Sequence, residues 1–234
     1  MTVSAEVKLL DQNTANQIAA GEVVEKPASV VKELVENALD AGAGKIDVTI
    51  FEGGTQYIRV ADDGSGMTEA NAKLAVLRHA TSKIRAAEDL MSLHTLGFRG
   101  EALPSIASVS NFQLLTRPAD EEFATSIRID GGEQSECQQT GGQAGTTVIV
   151  ENLFFNVPAR RKFLRTNATE GRYINELLTR LALSRPDVRF KLVSNDKEVL
   201  STPGNGSLFD AITALYGKKV SDELLKVDFT GTDV

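Results

Sequence analysis

Lys32-Glu33-Leu34-Val35-Glu36-Asn37-Ala38-Leu39-Asp40-Ala41 is the stretch whose reading decides the fold of this chain. Wound on a helix of about 3.6 residues per turn, it separates into two faces. Val31, Leu34, Val35 and Ala38 fall at i, i+3, i+4 and i+7 and form a core stripe. Glu33, Glu36, Asn37 and Asp40 repeat that spacing on the opposite side. The polar face sets Glu36 against Asp40, a mildly unfavourable like-charge pair, and spends a position on Asn37, a mediocre helix former. A helix made only for solvent would carry Lys or Arg opposite those acids. A carboxylate and an amide one turn apart suit a divalent cation and an activated water. A plain solvated face carries the same pattern.

Working outward, Pro27 sits where the helix begins, a position at which its missing N–H costs nothing, and Gly42 can end it. Upstream, residues 14–20 read as a short helix with Gly21 as its C-cap. Downstream, Ile46, Val48 and Ile50 alternate as a strand, Gly53-Gly54 turns the chain, and Ile58 and Val60 alternate back. This hairpin predicts Asp62 and Asp63 at a strand end. Residues 68–77 read as a helix with Thr68 as N-cap and Glu69 in the first turn. Residues 80–99, rich in Thr, Ser, Lys and Gly, lack strong periodicity and read as a lid. A helix over 101–109 tolerates Pro104 only near its first turn. Strands follow over 112–116, 123–129 and 146–150, then a helix over 175–183 and strands over 188–193 and 198–200.

The pattern predicts an α+β fold, a two-layer α/β sandwich of a mixed sheet with helices on one face. Pro203, Gly204 and Gly206 mark a boundary. A helix over 207–217 and a strand over 224–229 then read as the start of a second domain, dividing the chain into 1–200 and 201–234.

Composition narrows the function classes. The 234 residues are 41% hydrophobic and 24% charged, an ordinary globular mixture. No run approaches the roughly 18 apolar residues of a membrane span, and the N-terminus lacks the layout of a secretory signal. Cys137 is the single cysteine and His79 and His94 the two histidines, which excludes an intramolecular disulfide and leaves no structural zinc set. A reducing cytoplasm is the expected home. The net charge of −7 argues against general polyanion binding, so nucleic-acid contact needs a local basic patch. Arg160, Arg161, Lys162 and Arg165 put four positive charges into six residues. They read as a DNA-contacting patch, with a solvated helix face as the plainer alternative. Little aromatic interleaving accompanies them (Phe154, Phe155, Phe163), so such contact should lack sequence preference.

Three further segments carry chemistry. In Asp62-Asp63-Gly64-Ser65-Gly66-Met67, an Asp at a strand end can accept a hydrogen bond from a ligand while glycines let the backbone pass close by. A polar turn reads the same way. In Leu96-Gly97-Phe98-Arg99-Gly100-Glu101-Ala102-Leu103, glycines ahead of a helix leave backbone N–H groups converging as a phosphate site requires. Thr81-Ser82-Lys83 adds hydroxyls and a cation. Gly145-Thr146-Thr147-Val148 opens a strand where a buried Thr can bond a ligand. No G-x-x-x-x-G-K-[ST] string is present, so this is not a Walker P-loop.

The order and spacing of these segments resemble the four nucleotide-binding motifs of the GHKL (Bergerat-fold) superfamily. That superfamily includes type II topoisomerase ATPase subunits, a heat-shock chaperone class, sensor histidine kinases and MutL. Asn16-Gln17-Ile18-Ala19-Ala20-Gly21-Glu22-Val23-Val24, Gly97-Phe98-Arg99-Gly100-Glu101-Ala102-Leu103 and Asn156-Val157-Pro158-Ala159-Arg160-Arg161-Lys162-Phe163-Leu164 resemble MutL mismatch-repair proteins specifically, over residues 7–234. A type II topoisomerase ATPase domain is the alternative that those strings fit less well.

The resemblance implies an ATP-binding, slowly hydrolysing switch. Glu33 would be the general base, Asn37 the Mg²⁺ ligand, and Asp62 the acceptor for the adenine amino group. Gly64, Gly66 and Met67 would flank the base, and Thr147 would support it. Thr81, Ser82, Lys83, Gly97, Phe98, Arg99, Gly100, Glu101, Ala102 and Leu103 would close over the phosphates. A ribosomal-protein-like second domain would supply a lysine to the γ-phosphate. The implied partners are DNA, a mismatch-recognition protein of the MutS type, a strand-processing nuclease or helicase, and a second copy of the chain on ATP binding. The implied place is the bacterial cytoplasm, at the nucleoid during repair.

Overall fold

The structure, a computed structural model, describes residues 20–21, 23–81, 96–97, 100–225 and 227. The predicted helix over 14–20, apart from its last residue, residues 82–95 and 98–99 of the lid predicted over 80–99, and half of the strand expected over 224–229 lie outside the described residues.

Helix α1 (Pro27–Asp40) is the two-faced helix of the sequence, and Val30, Val31, Leu34, Val35, Ala38 and Leu39 are buried on its inner side. Strands β1 (Lys45–Phe51) and β2 (Tyr57–Asp62) form the expected antiparallel hairpin, joined through a 3₁₀ turn over Glu52–Gly54. Helix α2 (Glu69–Ala75) starts at Thr68, whose hydroxyl accepts the Asn71 N–H at 3.3 Å, and α3 (Ala102–Ala107) holds Pro104 near its start. Strands β3 (Asn111–Arg117), β4 (Ala124–Asp130), β5 (Glu133–Thr140) and β6 (Gly145–Glu151) follow. Helices α4 (Pro158–Phe163) and α5 (Asn167–Ser184) lead into β7 (Arg189–Ser194) and β8 (Lys197–Ser201). Helices α6 (Leu208–Tyr216) and α7 (Lys218–Ser221) come last.

The eight strands form one mixed sheet in the order β5-β4-β3-β6-β2-β1-β7-β8. β1 and β7 pair in parallel, and the other pairs are antiparallel. The registers align one apolar row across six strands: Leu192, Val48, Val60, Val148, Leu114 and Ile127, all buried. Helices α1, α3 and α5 contribute to the same core, whereas the alternate residues of β1, β2, β3 and β7 are half-buried. The fold is the expected two-layer α+β arrangement.

The structure departs from the sequence reading in the short helices α4 and α7, in β5 and in the start of α5. β5 carries Glu-Gln-Ser-Glu-Cys-Gln-Gln-Thr, with no apolar alternation, because it is an edge strand paired on one side and largely exposed. α5 begins at Asn167 rather than 175, with Thr166 as its N-cap accepting the Thr169 N–H. Beyond the predicted boundary, α6 lies against α5 and β8 and buries Ala211. The helix read as opening a second domain therefore rests on the sheet domain. Leu224 and Leu225 are not in a strand.

The hairpin turn and α5 meet at Gly53, which has φ 65° and whose missing Cβ would lie 2.3 Å from the Asn167 carbonyl oxygen. Gly53→Ala combines left-handed strain with overlap against backbone that cannot give way. We expect it to destabilise the domain by about 2 kcal/mol or more in urea unfolding, well beyond the roughly 1 kcal/mol of conformational strain alone.

Candidate functional site

The cleft forms because α1 crosses the sheet with its polar face turned away from the core. It has a volume of about 1110 Å³. Its floor is Val60, Val148 and Leu114 from the apolar row, and its wall is the Glu33, Glu36, Asn37 and Asp40 face of α1. Met67, Asn71, Leu74 and Ala75 close one side; Thr81, Leu96, Gly97, Gly100, Glu101, Ala102 and Leu103 close the other. Glu33, Asn37, Asp62, Gly66, Met67, Thr81, Gly97, Gly100, Glu101, Ala102 and Leu103 are thus brought to one cavity from four separate segments. Ser82, Lys83, Phe98 and Arg99 lie outside the described residues.

The acidic face of α1 is partly neutralised from within the helix. Lys32 Nζ lies 2.9 Å from Glu36 Oε2 and 3.5 Å from Glu33 Oε1. This corrects the expectation of a face without a cation, since the lysine one turn before Glu36 reaches across. Burial pulls the Lys32 ammonium down, but the hydrogen bond to Glu36 and the charges of Glu33 and Glu36 outweigh it, so it titrates above the usual lysine range. Asp40 does not simply repel Glu36. Its Oδ1 accepts the Leu96 N–H at 3.0 Å and its Oδ2 the Gly97 N–H at 3.3 Å. The last turn of α1 is therefore tied to the glycine segment. Nothing local in the sequence signals this contact, which spans 56 positions.

At the other end of the cleft, β2 delivers Asp62. Its Oδ1 accepts the Gly64 N–H at 2.9 Å and the Thr146 N–H at 3.3 Å, and no bond among the described residues occupies Oδ2. Burial raises the Asp62 carboxyl above the usual aspartate range, against the two backbone N–H groups that lower it. Asp63, the neighbouring acid, faces elsewhere and accepts the Gly44 and Lys45 N–H groups, each at 2.8 Å. Gly66 is required where it stands, because a Cβ there would lie 2.2 Å from the Arg117 carbonyl oxygen. Gly64 does not line the cleft; its N–H turns the chain around Asp62.

Two expectations are corrected by geometry. Thr147 pairs with Ala61, whereas Thr146 pairs with Asp62, so by the two-residue period of a strand it is Thr146 that faces the cleft. The basic patch is also not uniform. Arg161, Lys162 and Arg165 are exposed, but the Arg160 guanidinium turns against the chain at Gly21, where a Cβ would meet Nη2 at 1.9 Å. Partial burial pulls Arg160 below the usual arginine range. Residues the sequence reading gave no part in the site, Val60, Leu114, Asn71 and Leu74, join the cleft through register and helix phase, as does Val148 of the segment over 145–148. Val60 was within reach, standing two positions before Asp62 on the same strand face.

Residues 25–144 match the family described as histidine kinase-, DNA gyrase B-, and HSP90-like ATPase. The DNA mismatch repair protein MutL of Symbiobacterium thermophilum is 57% identical over 225 residues, covering 96% of this chain and 35% of that protein. MutL of Desulforudis audaxviator is 55% identical over 225 residues, covering 96% of this chain and 40% of that protein. The chain thus spans well under half the length of these relatives. Among solved structures, the Aquifex aeolicus MutL ATPase domain complexed with ADP matches with a TM-score of 0.66 at 36% identity, over 83% of this chain and 70% of that one. The N-terminal domain of a DNA repair protein matches with a TM-score of 0.71 at 29% identity, over 87% of this chain and 60% of that one. A two-faced α1 over a mixed sheet, with Glu33, Asn37 and Asp62 in one cleft, accords with these likenesses: the chain belongs to the histidine kinase-, DNA gyrase B- and HSP90-like ATPase family, in its MutL group.

Proposed function

We propose that the cleft binds ATP and hydrolyses it slowly, as the switch of a DNA mismatch repair protein. The observation that carries this is the convergence of Glu33, Asn37 and Asp62 on one cavity, with an apolar floor between them. Asp62 Oδ2 would accept the adenine amino group, and Val60, Leu114 and Val148 would lie under the ring. The triphosphate would run along α1 toward Gly97, Gly100 and the start of α3. Glu33 would take a proton from the attacking water as its oxygen bonds to the γ-phosphorus and the bridging P–O bond breaks, releasing ADP.

Mg²⁺ fits this donor set. Among the described residues no three His, Cys, Asp or Glu side chains gather as a metal cage, and Asn37 offers an amide oxygen on the cleft side of α1. Mg²⁺ carried in by phosphate oxygens needs only one or two protein donors, and it would offset charge on the phosphates. Ser82, Lys83, Phe98 and Arg99, with Thr81, would cover the phosphates.

As a switch, ATP would order the segments around the cleft and favour pairing of two copies of the chain. The paired form would then engage a mismatch-recognition protein of the MutS type and a strand-processing nuclease or helicase. The bacterial MutL relatives support a cytoplasmic setting, and no helix among the described residues is long and apolar enough to cross a membrane. DNA contact falls to Arg161, Lys162 and Arg165, the exposed members of the basic patch.

Removing the base separates chemistry from binding. In Glu33→Ala we expect ATP affinity to be retained and turnover to fall at least about 100-fold in a phosphate-release assay; equal loss of both would contradict the role given to Glu33. Asp62→Asn should lower ATP affinity by about 10- to 100-fold in calorimetry, since a charged acceptor is lost. The same substitution should raise the melting temperature of the nucleotide-free domain at neutral pH. Because burial raises the Asp62 pKa, its contribution to stability is fully present below the ordinary aspartate pKa and is lost as pH rises through the folded value. The difference from the wild type should therefore shrink toward acid pH. For DNA, Arg161→Glu should flatten the slope of log K against log salt by about one to two units. Arg160→Ala should leave that slope unchanged.

A further inference from the structure

Asp62, Thr146 and Thr116 stand side by side across three strands, Asp62 opposite Thr146 and Thr146 opposite Thr116. Thr116 is 1% exposed and does not line the cleft. Its single hydroxyl nevertheless makes three contacts. It accepts the Met67 N–H at 2.9 Å, lies 3.2 Å from the Gly145 carbonyl oxygen, and lies 3.0 Å from Thr146 Oγ1.

A threonine hydroxyl has one proton to give and two lone pairs to receive. All three contacts are hydrogen bonds together in only one arrangement. Thr116 donates to the Gly145 carbonyl and accepts from both the Met67 N–H and the Thr146 O–H. Were Thr116 to donate to Thr146 instead, two oxygens would face each other across the 3.2 Å contact and a buried bond would be lost. The saturated arrangement turns the only Thr146 proton away from the cleft and leaves its Oγ1 lone pairs facing inward. Next to it, Asp62 has its Oδ1 held by Gly64 and Thr146 N–H groups.

We propose that Thr116 is a positioning residue for base selection: by taking the Thr146 proton, it makes the base end of the cleft a double acceptor that favours a 6-amino purine nucleotide over a 6-oxo one. The inference rests on the ATP reading above and deepens it. An amino group can donate to Thr146 Oγ1 and to the Asp62 carboxylate, whereas a 6-oxo oxygen meets lone pairs from both. Without the Thr116 acceptor, the Thr146 hydroxyl is free to rotate and donate into the cleft, and part of the discrimination disappears.

The test is the ratio of ATP to GTP affinity, by calorimetry with Mg²⁺, in the wild type, Thr116→Val and Thr116→Ser. Thr116→Val keeps the size and loses the acceptor; Thr116→Ser keeps the acceptor. We expect the ratio to fall about tenfold in Thr116→Val and to recover in Thr116→Ser. A merely structural role would weaken both nucleotides equally, so a folded Thr116→Val with the wild-type ratio overturns the inference. If Thr116→Val does not fold, Thr146→Val removes the acceptor directly, and an unchanged ratio there overturns it as well. A wild type that binds ATP no better than GTP also sinks the inference while leaving nucleotide binding standing. A wild type that binds neither sinks the ATP reading itself.

Discussion

The proposed base end of the cleft depends on one constraint, the register that sets Asp62 beside Thr146 and Thr146 beside Thr116 across three antiparallel strands. Directly opposed residues share a face, so this pairing puts three polar side chains in one row above the core side of the sheet. The adjacent row, two residues along each strand, is Val60, Val148 and Leu114 and is apolar. The change from apolar to polar in a single step creates a flat greasy floor with a hydrogen-bonding edge, the shape a planar heteroaromatic ring needs. A one-residue slip of β6 would carry Thr146 to the other face and move the apolar residues Val148 and Val150 off the core side. The sheet is held against such a slip by the buried apolar row itself, so the core fixes the site.

The opposite wall is built on different physics. Helix α1 is anchored by its buried stripe, and this rigidity gives Glu33 and Asn37 a fixed separation of about one turn. Asp40 extends the same helix toward the proposed phosphate end by accepting two backbone N–H groups from Leu96 and Gly97. A carboxylate receiving two N–H groups is a directional, charge-assisted tie. The glycine segment before α3 is thereby referred to the same rigid body that carries the proposed base.

Much of this was legible in the residues. The i, i+3, i+4, i+7 stripe of α1 and the β1–β2 alternation are local signals, and they fixed both the layer arrangement and the location of Asp62. β5 was not legible, because an exposed edge strand has no buried side to impose alternation. Nor was the choice between Thr146 and Thr147. Two adjacent threonines differ only in which face they occupy, and that is decided by pairing with residues 84 positions away. Arg160 failed for a similar reason. Four cations in six residues look equivalent on paper, but helix phase sends one of them inward to the chain at Gly21.

Charge remains to be balanced in the proposed reading. Lys32 lies 2.9 Å from Glu36 and 3.5 Å from Glu33, and Asp40 is engaged by backbone dipoles, so Glu33, the more loosely paired of the first two, would be the carboxylate of α1 whose charge weighs most on an incoming γ-phosphate. Two like unit charges about 4 Å apart at an effective dielectric near 20 repel by about 4 kcal/mol. A base must nevertheless stand that close to direct water at phosphorus. In that reading the conflict would be relieved by positive charge delivered with the nucleotide, such as a divalent cation for which Asn37 would supply a protein donor. The helix that makes catalysis possible would therefore also oppose it until that charge arrives. In the proposed reading that would make turnover slow and conditional, which is what a switch requires and a rapid hydrolase would not tolerate.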